Sequence, residues 1–148
     1  MSNPKVFLGG TVDSKWRETI IPLLRIDYFN PLVEDWTPEC QAEEIKQRQE
    51  CDYCLYVITP KMTGVYSIAE VIDDSNKRPE KTIFCFLHED GEEKFTVAQV
   101  KSLRMVSDMV KNNKAKVFDN LYVVAAYLNG EDSSSYQPAY TDWNRKFK

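Results

Sequence analysis

Glu70 is the residue whose type and position point most directly to chemistry. It lies in the stretch 52–77, DYCLYVITPKMTGVYSIAEVIDDSNK. The apolar run 53–58 is short and β-branched enough to form a buried strand. Pro60 and Gly64 break the chain, and Ile68, Val71 and Ile72 then recur at the spacing of a helix face. Glu70 therefore falls within the first two turns of a helix that follows a strand, which is where open α/β sheets bind ligands. The positive end of the helix dipole favours an ionised carboxylate there by roughly 0.3–1 kcal/mol. An ionised, positioned carboxylate is what a glycosyl-transferring nucleophile requires. Position alone leaves a second reading open, in which Glu70 is an ordinary solvated glutamate.

Other chemistry-bearing residues are weaker. Gly9 and Gly10 end an apolar run, where glycine lets backbone approach a ligand, and Gly-Gly-Thr before a helix could cradle a phosphate. The full spacing of a dinucleotide or P-loop fingerprint is absent. Asp35 and Trp36 stand in a loop after a short strand. There they either recognise a flat, hydrogen-bonding base or form a surface turn with the tryptophan packed down as a plug. Cys51 and Cys54 make a lone C-x-x-C, and the sole histidine, His88, is distant in sequence. Zinc takes about four ligands, so no metal site is expected. A redox role is also poorly supported, because the motif runs into a strand rather than a helix.

These residues need a scaffold, and the apolar pattern supplies one. Strands are expected at 5–10, 26–29, 53–58, 81–87 and 115–118. Ser14 is placed to cap a first helix bearing Trp16, Ile20, Ile21, Leu23 and Leu24, which Pro22 must kink or restart. A polar helix over 38–50 carries Glu43 and Glu44, a charged loop covers 88–94, and an amphipathic helix covers 95–110. Asp119 is placed to cap the last helix. Helices alternating with doubly buried strands imply a single flavodoxin-like α/β domain over 1–130: a five-stranded parallel sheet, order 2-1-3-4-5, with helices on both faces. The segment 131–148 is a polar and aromatic tail whose Trp143 and Phe147 suggest docking on a second subunit.

The 148 residues suffice for one domain with a core. A net charge of -4 and a pI near 5.1 argue against a nucleic-acid surface. The absence of a long apolar run argues against a membrane span, and the cysteine usage and N-terminus fit a cytoplasmic protein.

The chain resembles the nucleoside 2-deoxyribosyltransferases. The match rests on KVFLGGT at the first strand, FNPLVEDW after the second, CDYCLYVITP after an acidic-polar helix, and TGVYSIAE opening the third helix. With KTIFCFL it spans about residues 5–87, closest to the branch with Asn-Pro and Asp-Trp after the second strand. The resemblance implies that Glu70 is the nucleophile and that Glu44, eight residues before Asp52, is a second acid. Better-known members carry aspartate at the Glu44 position. They often carry another aspartate six residues before the nucleophile to touch the base, where this chain has Gly64. Asp35 or Thr63 would then make that contact. Phe7 stands where a sugar-facing tyrosine is common, and Asn113 aligns with an asparagine that a neighbouring subunit contributes in some relatives.

The function implied is base exchange on 2'-deoxynucleosides in nucleotide salvage. It runs through a covalent deoxyribosyl-glutamate, with a nucleoside and a free base as partners and no cofactor, in a homo-oligomer. Glu43 and Glu50 are expected to crowd Glu44 with like charge, raising its pKa so that it protonates the leaving base. The alternatives are an N-glycosidase on the same scaffold, or a non-catalytic nucleotide-sensing domain. A nucleotide enzyme should place arginines near the Gly9-Gly10 turn, where Lys15 and Arg17 stand.

Overall fold

The computed structural model describes residues 3–131, so the expectations for Trp143 and Phe147 lie outside the described residues. Strand β1 (Lys5–Gly10) leads to helix α1 (Trp16–Ile20), a 3-10 turn at Ile21–Leu23, and strand β2 (Asp27–Phe29). Helix α2 (Pro38–Glu50), strand β3 (Tyr53–Ile58), helix α3 (Tyr66–Lys77) and strand β4 (Thr82–Phe86) follow. Short strands β5 (Glu89–Asp90) and β6 (Glu93–Lys94) precede helix α4 (Val97–Asn112), strand β7 (Lys116–Phe118) and helix α5 (Leu121–Leu128). The main sheet is parallel in the order β2-β1-β3-β4-β7, the expected 2-1-3-4-5 once the small hairpin is set aside.

Side chains of the central strands alternate between two cores, as the pleat requires. Val6, Leu8, Leu55, Val57, Ile83 and Cys85 meet Trp16 and Ile20 of α1 and Leu121, Val124 and Leu128 of α5. Phe7, Cys54, Tyr56, Ile58, Phe84 and Phe86 meet Val71 of α3 and Val100, Leu103 and Val110 of α4. A fully buried side chain of this kind contributes roughly 1.5–3 kcal/mol. Helix α2 draws on none of that, since its buried residue is Gln47. It must be held by polar contacts.

Several local expectations are corrected. Pro22 restarts the chain as a 3-10 turn, and α1 stops at Ile20. Its N-cap position is Lys15, while the Ser14 hydroxyl accepts the Trp16 amide at 3.2 Å. The last helix is capped by Asn120, whose side chain accepts the Val123 amide at 2.9 Å, and not by Asp119. The stretch 88–94 is an antiparallel hairpin rather than a loop, turned by Gly91 at φ 63°. Asp90 fastens this hairpin to the sheet, accepting from Ser14 Oγ at 2.5 Å and Thr59 Oγ1 at 2.7 Å. Helix α4 begins at Val97, two residues beyond the expected start, because Thr96 and Gln99 form a capping box.

The glycine pair serves strand packing first. In the β1–β3 register Gly9 faces Tyr56 and Gly10 faces Val57. A Cβ on Gly9 would stand 2.9 Å from the Tyr56 ring, and one on Gly10 only 2.0 Å from the Val57 carbonyl oxygen. Gly10 also has φ 123°, a conformation side chains rarely adopt. Gly10→Ala should therefore lose on the order of 3 kcal/mol, from backbone strain and overpacking together. Urea unfolding monitored by far-UV circular dichroism would measure it; an unchanged midpoint would refute the close approach of β3.

Candidate active site

The strand order reverses between β1 and β3, and a cleft of about 280 Å3 opens beyond their C-terminal ends. This is the position at which doubly wound sheets bind ligands, and its size is near the lower end of small-molecule sites. Phe7, Gly9, Gly10 and Thr11 from β1 and its turn form one wall, with Arg17 of α1. Pro31 and Leu32 come from the loop after β2, and Glu44 from α2. The β3–α3 connection supplies Met62, Thr63 and Gly64, and α3 supplies Tyr66, Ser67 and Glu70.

Glu44 and Glu70 thus share one cleft although they belong to different helices. Phe7, Gly9, Gly10, Thr63 and Gly64 also line it. Asp35 and Trp36 do not. Both are exposed, Trp36 at 59%, so the tryptophan is not packed down as a plug. Asn113 ends α4 and donates to Ser75 Oγ at 2.9 Å near the far end of α3, away from the cleft of its own chain. Lys15 is exposed outside it. Cys51 and Cys54 are buried free thiols, and burial pushes Cys54 up to about 12, which removes it as a nucleophile. His88 stacks edge-on against Phe86 and lies outside the cleft lining.

Behind the cleft lies a charged network that periodicity does not reveal. Glu70 is the fifth residue of α3, and the helix dipole fades within the first turn. Its nearby cation is instead Arg48 of α2, whose Nη1 stands 3.3 Å from Glu70 Oε2. The same guanidinium reaches Asp74 through Nη2 at 2.9 Å and the Tyr56 hydroxyl through Nε at 3.1 Å. Asp74 is wholly buried and also accepts from the Tyr56 hydroxyl and Arg78. The sequence did carry a signal: Glu44 and Arg48 are four residues apart on α2, as Glu70 and Asp74 are on α3. Such pairs share a helix face, and two facing pairs of this kind suit a bridged quartet.

Environment sets the charges. Burial pushes the Glu70 carboxyl above its ordinary value; Arg48 opposes this, while Asp74 and Glu44 add to it. Glu44 is pushed up by burial too, against the pull of Arg48 and Arg17. The expected crowding by Glu43 and Glu50 is therefore not the cause. Glu43 accepts from Gln47 Nε2 at 2.8 Å instead. Burial lowers Arg17 to about 10, partly offset by Glu44, and its guanidinium donates to the carbonyls of Leu8 and Thr11. Burial also works against ionised Asp74, yet the hydrogen bonds from Tyr56, Arg78 and Arg48 outweigh it and hold the carboxyl below its ordinary range.

The amino-acid sequence from residue 3 to 88, more than half of the chain, matches the family model described as nucleoside 2-deoxyribosyltransferase like. The chain belongs to that family. No curated protein matches it. The segment that matches this deoxyribosyltransferase-like family runs from β1 through β4 and includes Arg17, Glu44, Arg48, Glu70 and Asp74. The hairpin, α4 and Asn113 fall beyond it.

Removing the Asp74 charge should expose the network's weight. Asp74→Asn leaves Arg48 and Arg78 without their buried carboxylate, a loss of about 3–5 kcal/mol near neutrality. A carboxyl with a depressed folded-state pKa contributes stability above its unfolded value, here 3.8, that disappears as pH falls through the folded value. Denaturant unfolding across pH should show wild type and Asp74→Asn far apart at neutrality and converging in strong acid. A gap that does not vary with pH would show that the charge is not what matters.

Proposed function

We propose that this chain is a nucleoside 2-deoxyribosyltransferase that exchanges the base of 2'-deoxynucleosides through a covalent intermediate on Glu70. The observation that carries this reading is the convergence of Glu44 and Glu70 on one cleft, with guanidinium groups beside them. Breaking a glycosidic bond builds positive charge at the anomeric carbon, and a carboxylate alongside stabilises it. Glu70 attacks that carbon as the C–N bond breaks, giving a deoxyribosyl ester. The departing base takes its proton from Glu44, directly or through water. A nitrogen of the incoming base then displaces Glu70 from the sugar and returns a proton to Glu44. Two inversions give net retention.

Burial raises the proton affinity of Glu44, the direction that favours an acid role. Unphosphorylated nucleosides fit the cleft better than nucleotides. Arg17 is the arginine near the glycine turn, and it spends its Nε, Nη1 and Nη2 on backbone carbonyls. Incubation with deoxyinosine, with and without free adenine, separates transfer from hydrolysis. Appearance of deoxyadenosine supports transfer, release of hypoxanthine without acceptor supports the glycosidase, and no cleavage of either kind sinks both.

Glu70→Gln should abolish exchange and the mass-detectable deoxyribosyl adduct. It should not lower Tm at neutral pH. A carboxyl with a raised folded-state pKa costs stability when ionised, and that cost is relieved only as pH falls through its folded value. Near-normal turnover in this variant would remove Glu70 from the mechanism.

Glu44→Gln should slow exchange from natural purine deoxynucleosides by about 100-fold or more. A substrate whose leaving group needs no proton should be slowed far less. Equal slowing of both would assign Glu44 to sugar binding instead.

A further inference from the structure

Helix α2 delivers Glu44 to the cleft yet buries only Gln47. Apolar packing therefore does not explain how it holds its place. One turn beyond Glu44, Arg48 lies outside the cleft lining, where it makes three close polar contacts, with Asp73 Oδ2 farther off at 4.0 Å. Nη2 stands 2.9 Å from Asp74 Oδ1, Nε 3.1 Å from the Tyr56 hydroxyl, and Nη1 3.3 Å from Glu70 Oε2. Asp74 and Tyr56 are fully buried in α3 and β3, so they fix the guanidinium against rigid elements. A planar fork with five donors can satisfy three partners at once, which a lysine ammonium on a flexible stem cannot do in the same geometry.

We propose that Arg48 is the positioning residue of this site, docking α2 so that Glu44 faces the cleft and holding one oxygen of Glu70 for attack on the sugar. The assignment rests on the reading of Glu70 as nucleophile. Arg48 is absent from the cleft lining, so it acts through the two glutamates and not on substrate. Its charge has a second consequence. In the ester intermediate Glu70 is neutral, and its release as a carboxylate in the second half-reaction restores the ion pair with Arg48. The cation thus favours departure of Glu70 from the sugar as well as its ionised resting state.

The groups facing Glu70 make the outcome of losing Arg48 specific. From α2 these are Arg48 and Glu44, and from its own helix Asp74. Tyr56 of β3 binds Asp74 and Arg48, and Arg17 of α1 acts on Glu44. Without Arg48, Glu70 faces two carboxylates and loses its neighbouring cation.

The test compares Arg48→Gln and Arg48→Lys with wild type in pH profiles of kcat/KM for deoxyinosine and adenine. Glu70 is titrated in parallel by 13C-carboxyl NMR of the substrate-free protein. Arg48→Gln should lower kcat by about 100-fold with little change in KM, as expected for mispositioned reacting groups. Its acid limb and the Glu70 titration midpoint should both move to higher pH. Arg48→Lys should restore much of the midpoint while recovering little of kcat, because it returns the charge without the fork. If the glutamine variant does not fold, the lysine variant carries the test through this split between midpoint and kcat. An active wild type whose folded Arg48 variants keep normal kcat and a normal Glu70 midpoint overturns this inference alone. A wild type that neither exchanges nor releases base overturns the nucleophile reading, and this assignment with it.

Discussion

The ion-paired carboxylate of Asp74 is the interaction on which the site depends. It has no exposure to solvent, and isolated ionised carboxylates are too costly to bury. Two guanidiniums and a phenol make its ionisation tolerable, and one of those guanidiniums belongs to a helix with no apolar anchor of its own. Ion pairs of this kind are seldom the most stable filling for a core, since well-packed apolar side chains often do as well or better. Its value here lies in geometry. The pair fixes where α2 stands relative to α3, and therefore how far Glu44 stands from Glu70.

The apolar cores set the other half of that geometry. β1 and β3 approach so closely that Gly9 and Gly10 have no room for a side chain, which brings the Phe7–Gly10 edge against Tyr56 and Val57. Tyr56 connects the two systems: its ring packs on Phe7 while its hydroxyl donates to Asp74. Rigid strands below and a polar network behind leave the cleft walls few ways to shift. The site still carries a cost, because Glu44 and Glu70 are both held where burial disfavours their charged forms. Groups shifted in this way concentrate where chemistry is done.

Much of the scaffold was legible in the sequence because burial writes itself in periods. Strands such as 53–58 and helices such as 38–50 are recovered within a residue or two, and doubly apolar strands point to a parallel sheet. Features carried by single polar contacts were not legible. Whether Asp119 or Asn120 caps α5 turns on one residue of register, and both are competent caps. The hairpin at 88–94 has strands of two residues and no apolar alternation to mark it. Arg48 illustrates the limit best. Its partners come from α3 and β3, and the Glu44–Arg48 spacing on α2 acquires meaning only once those elements are placed.

Gly64 is a point where the cleft wall can change without altering its frame. A side chain there would meet nothing within 4 Å, in contrast to Gly9 and Gly10, and its backbone imposes no positive φ. Packing therefore does not demand a glycine at this point. Its effect falls on what the cleft offers a ligand. Thr63 and Ser67 line the same cleft together with the apolar Met62 and Leu32, and its carboxylates are those of Glu44 and Glu70. A hydroxyl both donates and accepts, whereas a carboxylate accepts only and so selects for donor groups. On the proposed reading, base selectivity at this wall would rest on shape and on adaptable hydroxyls. On the same reading the fixed charges would serve the sugar end, where Arg48, anchored by Asp74, pairs with Glu70 and where charge would develop as the glycosidic bond breaks.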